Sequence, residues 1–173
     1  CGHTYPNFYN QSQEVQQALF RAGRVPFYFR WLDKRMIVTQ SFLSKSDPRL
    51  QPGTEVLSIN GTPAATILER LMTVARADGN NNAKRVAYMQ VQGTDRFEAF
   101  DIYFPLFFPS TASRMSLSVR GPEGRRVSTL DVPPLTYQER LAAMKDVVES
   151  GDDENHPVWE FRLLNDQLAY LRT

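Results

Sequence analysis

The amino-acid sequence predicts an α+β fold, in which short antiparallel strands form a small barrel or sandwich with flanking helices. Strand-forming segments occur in pairs around turn sequences, which is typical of β-hairpins. Segments with apolar residues at helical spacing separate these pairs. The length of 173 residues fits one domain, or one small domain with added elements, and is sufficient to bury a hydrophobic core.

The first predicted element is a helix within an N-terminal segment, residues 1–22. Asn10 or Ser12 can cap this helix, because a short polar side chain accepts a hydrogen bond from a free backbone N–H at the helix start. Gly23 can end it. The apolar face of the helix consists of Val15, Ala18, Leu19 and Ala22.

A β-hairpin is predicted next. Residues 26–32 are rich in aromatic and strand-forming side chains, and residues 36–42 form a second strand-prone segment. Asp33-Lys34 lies between them and can turn. The pair is therefore expected to be antiparallel.

A strand, a tight turn and a helix then follow one another without a gap. Pro52-Gly53 marks the entry to an apolar strand, and Asn60-Gly61 tolerates the positive φ of a tight turn. Thr62-Pro63 can begin a helix that runs to about residue 75. This arrangement resembles the central strand of a PDZ-type peptide-binding module. One side of the helix carries Ile67, Leu68, Leu71, Met72 and Ala75.

A helical insertion is predicted at about residues 76–110. After a polar break, residues 84–91 are expected to be helical, and Thr94 or Asp95 can cap another short helix. Its aromatic residues are consistent with a ligand-binding wall or with a core, and we expect a core because dense aromatic clusters are usually buried. These residues are Phe97, Phe100, Tyr103, Phe104, Phe107 and Phe108.

The remaining chain predicts a hairpin, a helix and a second hairpin. Residues 115–120 and 126–132 alternate in polarity around a Gly-Pro-Glu-Gly turn, and close a predicted domain of residues 23–132. Thr136-Tyr-Gln-Glu139 matches a capping box, which predicts a helix up to residue 151. A last hairpin is expected over residues 159–171.

Charge gives no indication of nucleic-acid binding. Twenty Lys and Arg against nineteen Asp and Glu leave a net charge of +1, and the basic residues are scattered among acidic ones. No apolar run reaches the roughly 20 residues that span a bilayer, and no signal-peptide pattern opens the sequence. We expect the two ends to be internal positions of a longer polypeptide, because the sequence opens and stops within patterned segments.

Motifs for catalysis or metal binding are scarce. No Ser lies in a Gly-x-Ser-x-Gly sequence, and no Ser-x-x-Lys pair occurs. Cys1 can serve as a nucleophile if it is a mature N-terminus. The spacing of Cys1, His3 and His156 fits no zinc pattern. We therefore expect no metal site and no cofactor, a structural role for His3 and a loop position for His156.

Several motifs taken together resemble the C-terminal processing, or tail-specific, serine protease family. They are Gly-His-Thr at positions 2–4, Gly23-Arg-Val-Pro-Phe-Tyr-Phe29, the strand and turn at residues 50–61, Asp78-Gly-Asn-Asn, and the turn from Gly121 to Gly124. The resemblance covers nearly the whole chain and is strongest from residue 23 to residue 82. It implies a PDZ-like domain that precedes an α/β catalytic domain with a serine nucleophile and a lysine base. It also implies that residues 133–173 lead into a catalytic domain absent from this chain, and that the bacterial enzyme is extracytoplasmic, either periplasmic or secreted.

The same resemblance implies a peptide-binding groove. An extended peptide would add beside residues 26–32 and pack against the helix after Thr62. Its terminal carboxylate would lie in the loop at residues 23–27, where Arg24 adds positive charge. Pro26 has no N–H to donate, so internal peptide segments are an alternative ligand. The residues assigned to the groove are Gly23, Arg24, Val25, Pro26, Phe27, Phe29, Leu68 and Met72.

Two main hypotheses of function follow. The first is the portion of a serine endopeptidase that binds peptide or unfolded protein, with a nucleophile outside this chain. The second is a stand-alone, non-enzymatic peptide- or protein-binding module. A third hypothesis uses Cys1 as the nucleophile of a hydrolytic activity within this chain.

Overall fold

The computed structural model describes residues 12–14, 17, 23–43, 48–93, 98–124, 126–150, 160–165 and 168–172. These residues divide into two compact units, one within Cys1–Leu141 and one within Ala142–Thr173. Most of the predicted N-terminal helix lies outside the described residues. Four residues of other predicted elements also lie outside the described residues, namely Thr94, Asp95, Phe97 and Trp159.

A six-stranded antiparallel sheet forms the framework of the first unit. Its strands are β1 (Phe27–Leu32), β2 (Arg35–Ser41), β3 (Glu55–Ile59), β4 (Thr62–Pro63), β5 (Met115–Arg120) and β6 (Val127–Val132). The order across the sheet is β1-β2-β3-β5-β6, and β4 pairs with β3. Within the described residues the sheet is open and does not close into a barrel. Together with its flanking helices, it confirms the predicted α+β class.

The hairpin of β1 and β2 forms where the aromatic segment predicts it. Asp33 and Lys34 make the turn with φ values of 49° and 63°, the left-handed conformation that a two-residue hairpin turn requires. Burial alternates along β1, because Phe27, Phe29 and Trp31 are buried and the residues between them are more exposed. This alternation places one face of β1 in the core.

The predicted strand, turn and helix unit is also present. Asn60 and Gly61 reverse the chain after β3 with φ values of 50° and 78°, and helix α1 spans Ala64–Met72. Asn60 ties the turn to β5, because its N–H donates to the Ser116 carbonyl oxygen at 2.7 Å and its Oδ1 accepts the Ser116 N–H at 2.9 Å. The helix is shorter than predicted, since Thr62–Pro63 pairs with β3 instead of starting it.

Two further helices are described in the insertion between α1 and β5. Helix α2 spans Asn82–Tyr88, and the Asn81 side chain caps it by accepting the Lys84 N–H at 2.9 Å. Helix α3 spans Ala99–Phe107 and contains Pro105. Both helices lie in segments for which the sequence predicts a helix.

The predicted helix over residues 84–91 is wrong at its C-terminal end. Helix α2 ends at Tyr88, and Val91 instead forms an antiparallel bridge with Phe29 of β1. The Phe29 N–H donates to the Val91 carbonyl oxygen at 2.9 Å, and the Val91 N–H donates back at 3.4 Å. Pairing with a distant strand therefore replaces the last helical turn.

Helix α4 (Tyr137–Ser150) begins with the predicted capping box. The Thr136 N–H donates to Glu139 Oε2 at 2.7 Å, and the Glu139 N–H donates to Thr136 Oγ1 at 3.2 Å. In the second unit, β7 (Glu160–Asn165) and β8 (Leu168–Arg172) form the predicted antiparallel hairpin.

Aromatic side chains of α3 belong to the core, as expected. Phe100 and Phe104 are buried and stack with ring centroids 5.0 Å apart. Phe100 also meets Phe29 edge-on at 4.9 Å. The guanidinium of Arg70 in α1 lies 4.3 Å from the ring centre of Phe107. Helix α3 therefore packs against both β1 and α1.

Candidate functional site

Most residues assigned to the peptide groove lie in the hydrophobic core. Phe27 and Phe29 are 0% exposed. Met72 is only partly buried and packs against the core. Buried side chains cannot line an open surface, so most of the assigned side chains belong to the core. The other buried members are Val25, Pro26 and Leu68.

The loop assigned to carboxylate binding has fewer free donors than expected. The Arg24 N–H donates to the Leu135 carbonyl oxygen at 2.8 Å, and the Leu135 N–H donates back at 2.9 Å. Pro26 has no N–H. Gly23 has a φ of 121°, a value that favours glycine. The chain following β6 thus takes the backbone donor of Arg24 that a ligand carboxylate would need.

The Arg24 side chain is also engaged within the protein. Its Nη1 lies 3.4 Å from Asp101 Oδ2, and its guanidinium carbon is 4.8 Å from the ring centre of Tyr137. Burial lowers the pKa of Arg24, and the Asp101 carboxylate opposes this effect. The positive charge of Arg24 is thus paired with Asp101 within the protein.

Sequence reasoning missed a buried charge network around Arg140. Arg140 Nη1 donates to Asp101 Oδ1 at 3.1 Å, Nη2 contacts Asp101 Oδ2, and Nη2 lies 3.3 Å from Glu98 Oε2. The three side chains are at most 6% exposed. The pattern around Arg140 is that of an ordinary amphipathic helix, so only the fold brings these charges together.

The segment from Met89 to Gly93 follows helix α2, lies beside the edge of β1 and is called here the 89–93 strap. Its pairing at Val91 is reinforced by the indole of Trp31, which donates to the Met89 carbonyl oxygen at 2.8 Å. Arg30 Nη2 donates to Gln92 Oε1 at 2.8 Å. The strap thus occupies the edge at which the resemblance expects a peptide to add.

Glu98 fixes the end of the 89–93 strap. Its Oε1 accepts the N–H groups of Gln92 at 2.7 Å and Gly93 at 2.9 Å. Gly93 has a φ of 76°, and a Cβ at this position would overlap the ring and hydroxyl of Tyr28. The strap therefore lies in direct contact with β1 along its length.

A cleft is lined in part by Asn60 of the turn after β3. Its larger part has a volume of about 500 Å³, and an adjoining part of about 120 Å³ reaches Arg114 and Pro134. The volume of the larger part falls within the range of small-ligand sites. Residues shared by the two parts are Asn60, Phe104, Phe108, Ser110 and Ala112.

The described residues contain no group of three or more His, Cys, Asp and Glu side chains that could hold a metal ion. Cys1, His3 and His156 lie outside the described residues. Among the helices described, none combines the length and apolar character needed to cross a membrane.

No family model and no curated protein matches the sequence. Two solved structures of mature CPAF, a chlamydial serine protease, are similar in part. The structure complexed with lactacystin has a TM-score of 0.40 and 14% sequence identity, and the match covers 65% of this chain. The crystal structure of mature CPAF has a TM-score of 0.36 and 19% identity, and the match covers 64% of this chain. In both cases the match spans 19% of the length of CPAF.

Proposed function

We propose that this chain is the peptide-binding, PDZ-like portion of a tail-specific type of serine endopeptidase. The serine nucleophile belongs to another part of the native polypeptide, and the ligand is an extended peptide or an unfolded protein segment. The proposed location is extracytoplasmic, which fractionation of the source cells tests.

The observation that carries this proposal is the backbone pairing of β1 with the 89–93 strap. Phe29 exchanges both of its backbone hydrogen bonds with Val91 in an antiparallel bridge. An extended peptide that adds to a sheet edge uses the same groups in the same way. The backbone of β1 at Phe29 thus already pairs with an antiparallel partner in the way that a peptide would, which supports the proposal.

The strand, turn and helix unit gives further support. β3, the Asn60-Gly61 turn and α1 follow in the order that the PDZ resemblance requires. The apolar face of α1 is buried against the sheet, since Ile67 and Leu71 are fully buried. This packing holds α1 on the sheet, and a binding edge that is formed before the peptide arrives lowers the entropic cost of binding.

Labelling with a fluorophosphonate probe tests the enzymatic part of the proposal. The native polypeptide is isolated from its source, its intact mass is measured, and it is incubated with the probe and with an unfolded protein substrate. We expect a mass above the 19.8 kDa of this chain, one covalent phosphonyl group, and degradation of the unfolded substrate. The 173-residue chain alone is the matched control and should not react.

A native polypeptide of 19.8 kDa that neither reacts with the probe nor degrades the substrate would overturn the proposal. Peptide binding by that polypeptide would then favour the non-enzymatic module. Labelling of the thiol of Cys1 by an alkylating reagent, with loss of hydrolysis, would favour the third hypothesis.

A further inference from the structure

We propose that the cleft lined by Asn60 binds a small aromatic carboxylate. The ring of the ligand lies against Phe108, and the guanidinium of Arg114 binds its carboxylate. No residue of β1 or of the 89–93 strap is among the residues that line the cleft. The inference therefore does not depend on the proposed peptide-binding role.

The two parts of the cleft give room for a ring and for a charged group. The larger part has a volume of about 500 Å³ and the adjoining part about 120 Å³, and Phe104 and Phe108 line both. The larger volume is sufficient for a small organic ligand. Arg114 lines only the smaller part. A ligand that fills both parts therefore places one of its ends beside Arg114.

A stack of three phenylalanine rings leads to the cleft. The ring centroids of Phe100 and Phe104 are 5.0 Å apart, and those of Phe104 and Phe108 are 5.6 Å apart with an angle of 29° between the ring planes. Phe108 is only partly buried, and among the described residues it stacks on no further ring. The ring of a ligand can extend this stack, because aromatic rings attract one another in offset-stacked and edge-on arrangements. The wall of the cleft thus favours an aromatic ligand.

Arg114 makes the cleft complementary to an anion. It is the only charged side chain among the described residues that line the cleft. Its Nη2 donates to the carbonyl oxygen of Asp131, and within the described part of the chain it forms no ion pair with a carboxylate. A guanidinium has five N–H donors, so several remain for a ligand. Two of them match the two oxygens of a carboxylate.

The walls of the cleft are fixed before a ligand arrives. Asn60 Oδ1 accepts the Ser116 N–H at 2.9 Å, which holds the turn against β5. After α3, Ser110 Oγ accepts the Ala112 N–H at 3.2 Å. A preformed site lowers the entropic cost of binding. The cleft can therefore bind a small molecule without a rearrangement of the sheet.

The test is a titration of the 173-residue chain with cinnamate, followed by two-dimensional proton–nitrogen NMR. We expect saturable binding, with the largest shifts at the amides of Asn60, Ser110, Ala112 and Arg114. Cinnamamide lacks the negative charge and hexanoate lacks the ring. Each should bind about fivefold more weakly than cinnamate, because it loses either the ion pair or the ring contact.

Two variants separate the charge from the ring. Arg114→Gln should weaken cinnamate binding about fivefold and leave cinnamamide binding unchanged, since only the carboxylate pairs with the guanidinium. Arg126→Gln is the matched control, because Arg126 is also exposed but does not line the cleft. Phe108→Leu keeps the apolar bulk and should weaken the binding of cinnamate and cinnamamide more than that of hexanoate.

Four results would overturn the inference. They are the absence of saturable cinnamate binding, shifts that lie outside the cleft, equal binding of cinnamate and cinnamamide, and an equal loss in Arg114→Gln and Arg126→Gln. Arg114 is exposed, so its replacement should leave the fold intact, and the NMR spectrum of the free variant checks this. None of these results bears on the proposed protease role, which the intact mass and the fluorophosphonate probe test separately.

Discussion

At the scale of single residues, the buried charge network joins parts of the chain that are far apart in sequence. Arg24 precedes β1, Glu98 and Asp101 lie at the start of α3, and Arg140 lies in α4. Two positive and two negative groups are thus paired, and their side chains are at most 10% exposed. Because these charges have lost most of their hydration, removal of one partner leaves an uncompensated buried charge.

Replacement of Arg140 by alanine should therefore be strongly destabilising. We expect Arg140→Ala to lower the free energy of unfolding by about 3–5 kcal/mol, since Asp101 and Glu98 lose their main counter-charge. Urea denaturation followed by circular dichroism measures this change.

The matched control is Arg120→Ala. Arg120 pairs with Glu55 at 3.3 Å, but its side chain is 43% exposed. An exposed pair contributes roughly 0–1 kcal/mol. A loss of the same size in both variants would contradict a special role for the buried network.

Glu98 should make stability depend on pH. Burial raises the pKa of Glu98 above its ordinary value of 4.5, although the Gln92 N–H and the Arg140 guanidinium oppose this, and the nearby Asp101 adds to it. Between 4.5 and the raised pKa, the folded state keeps a proton that the unfolded chain releases. The free energy of unfolding should therefore fall as pH rises through this interval.

The variant Glu98→Gln has no proton to lose in this interval. We expect the urea midpoint of the wild type to decline relative to that of Glu98→Gln as pH rises above 4.5. If the wild type instead gained stability relative to the variant over this interval, folding would lower the pKa of Glu98. Burial would then not be the dominant effect on that pKa.

At the scale of secondary-structure elements, the turn between β3 and β4 depends on one side chain. Asn60 adopts a φ of 50° and bonds Ser116 of β5 through both its N–H and its side chain. Asparagine tolerates this conformation better than most residues because its short side chain can form local hydrogen bonds. The turn therefore fixes both the reversal of the chain and its attachment to β5.

The substitution Asn60→Ala should lower the free energy of unfolding by about 1–2 kcal/mol, because it removes the side-chain hydrogen bond and adds conformational strain. Urea denaturation measures the loss. Asn80→Ala serves as control, since Asn80 is exposed and a surface change there should stay within about 0.5 kcal/mol. Equal stability of both variants would show that the turn does not need Asn60.

The 89–93 strap shows how tertiary pairing overrides a local pattern. Residues 84–91 have helical spacing, yet the helix ends at Tyr88. Val91 is β-branched and fits an extended conformation, but its partner Phe29 lies on a different part of the chain. Local periodicity contains no information about that partner.

At the scale of the whole molecule, β1 is the strand of the sheet that contacts the insertion. It pairs with β2 on one edge and with the strap on the other, and Phe29 packs against Phe100 of α3. Phe29 is 0% exposed. The stability of the first unit should therefore depend heavily on this side chain.

We expect Phe29→Ala to lower the free energy of unfolding by about 3–5 kcal/mol, since it removes a large buried ring and leaves a cavity. Leu32→Ala on the same strand is the control, because Leu32 is 56% exposed and should change stability by less than about 0.5 kcal/mol. Thermal or urea unfolding measures both. Similar losses at the two positions would contradict the assignment of the core face of β1.

The sequence by itself determined the features that depend on neighbouring residues. These features are the hairpin turn at Asp33-Lys34, the turn at Asn60-Gly61, the capping box at Thr136, and the α+β class. Each one rests on contacts over a few residues or on alternation within one strand, which the order of side chains encodes directly.

Only the tertiary structure decided which segment pairs with the edge of β1 and which charged side chains pair with one another in the interior. The Phe29–Val91 bridge joins residues 62 positions apart, and the contact of Arg140 with Asp101 spans 39. These contacts form because folding removes a backbone edge and several charges from water, and each must then find a partner inside the protein. The choice of partner depends on the packing of the insertion against the sheet, which no local pattern specifies.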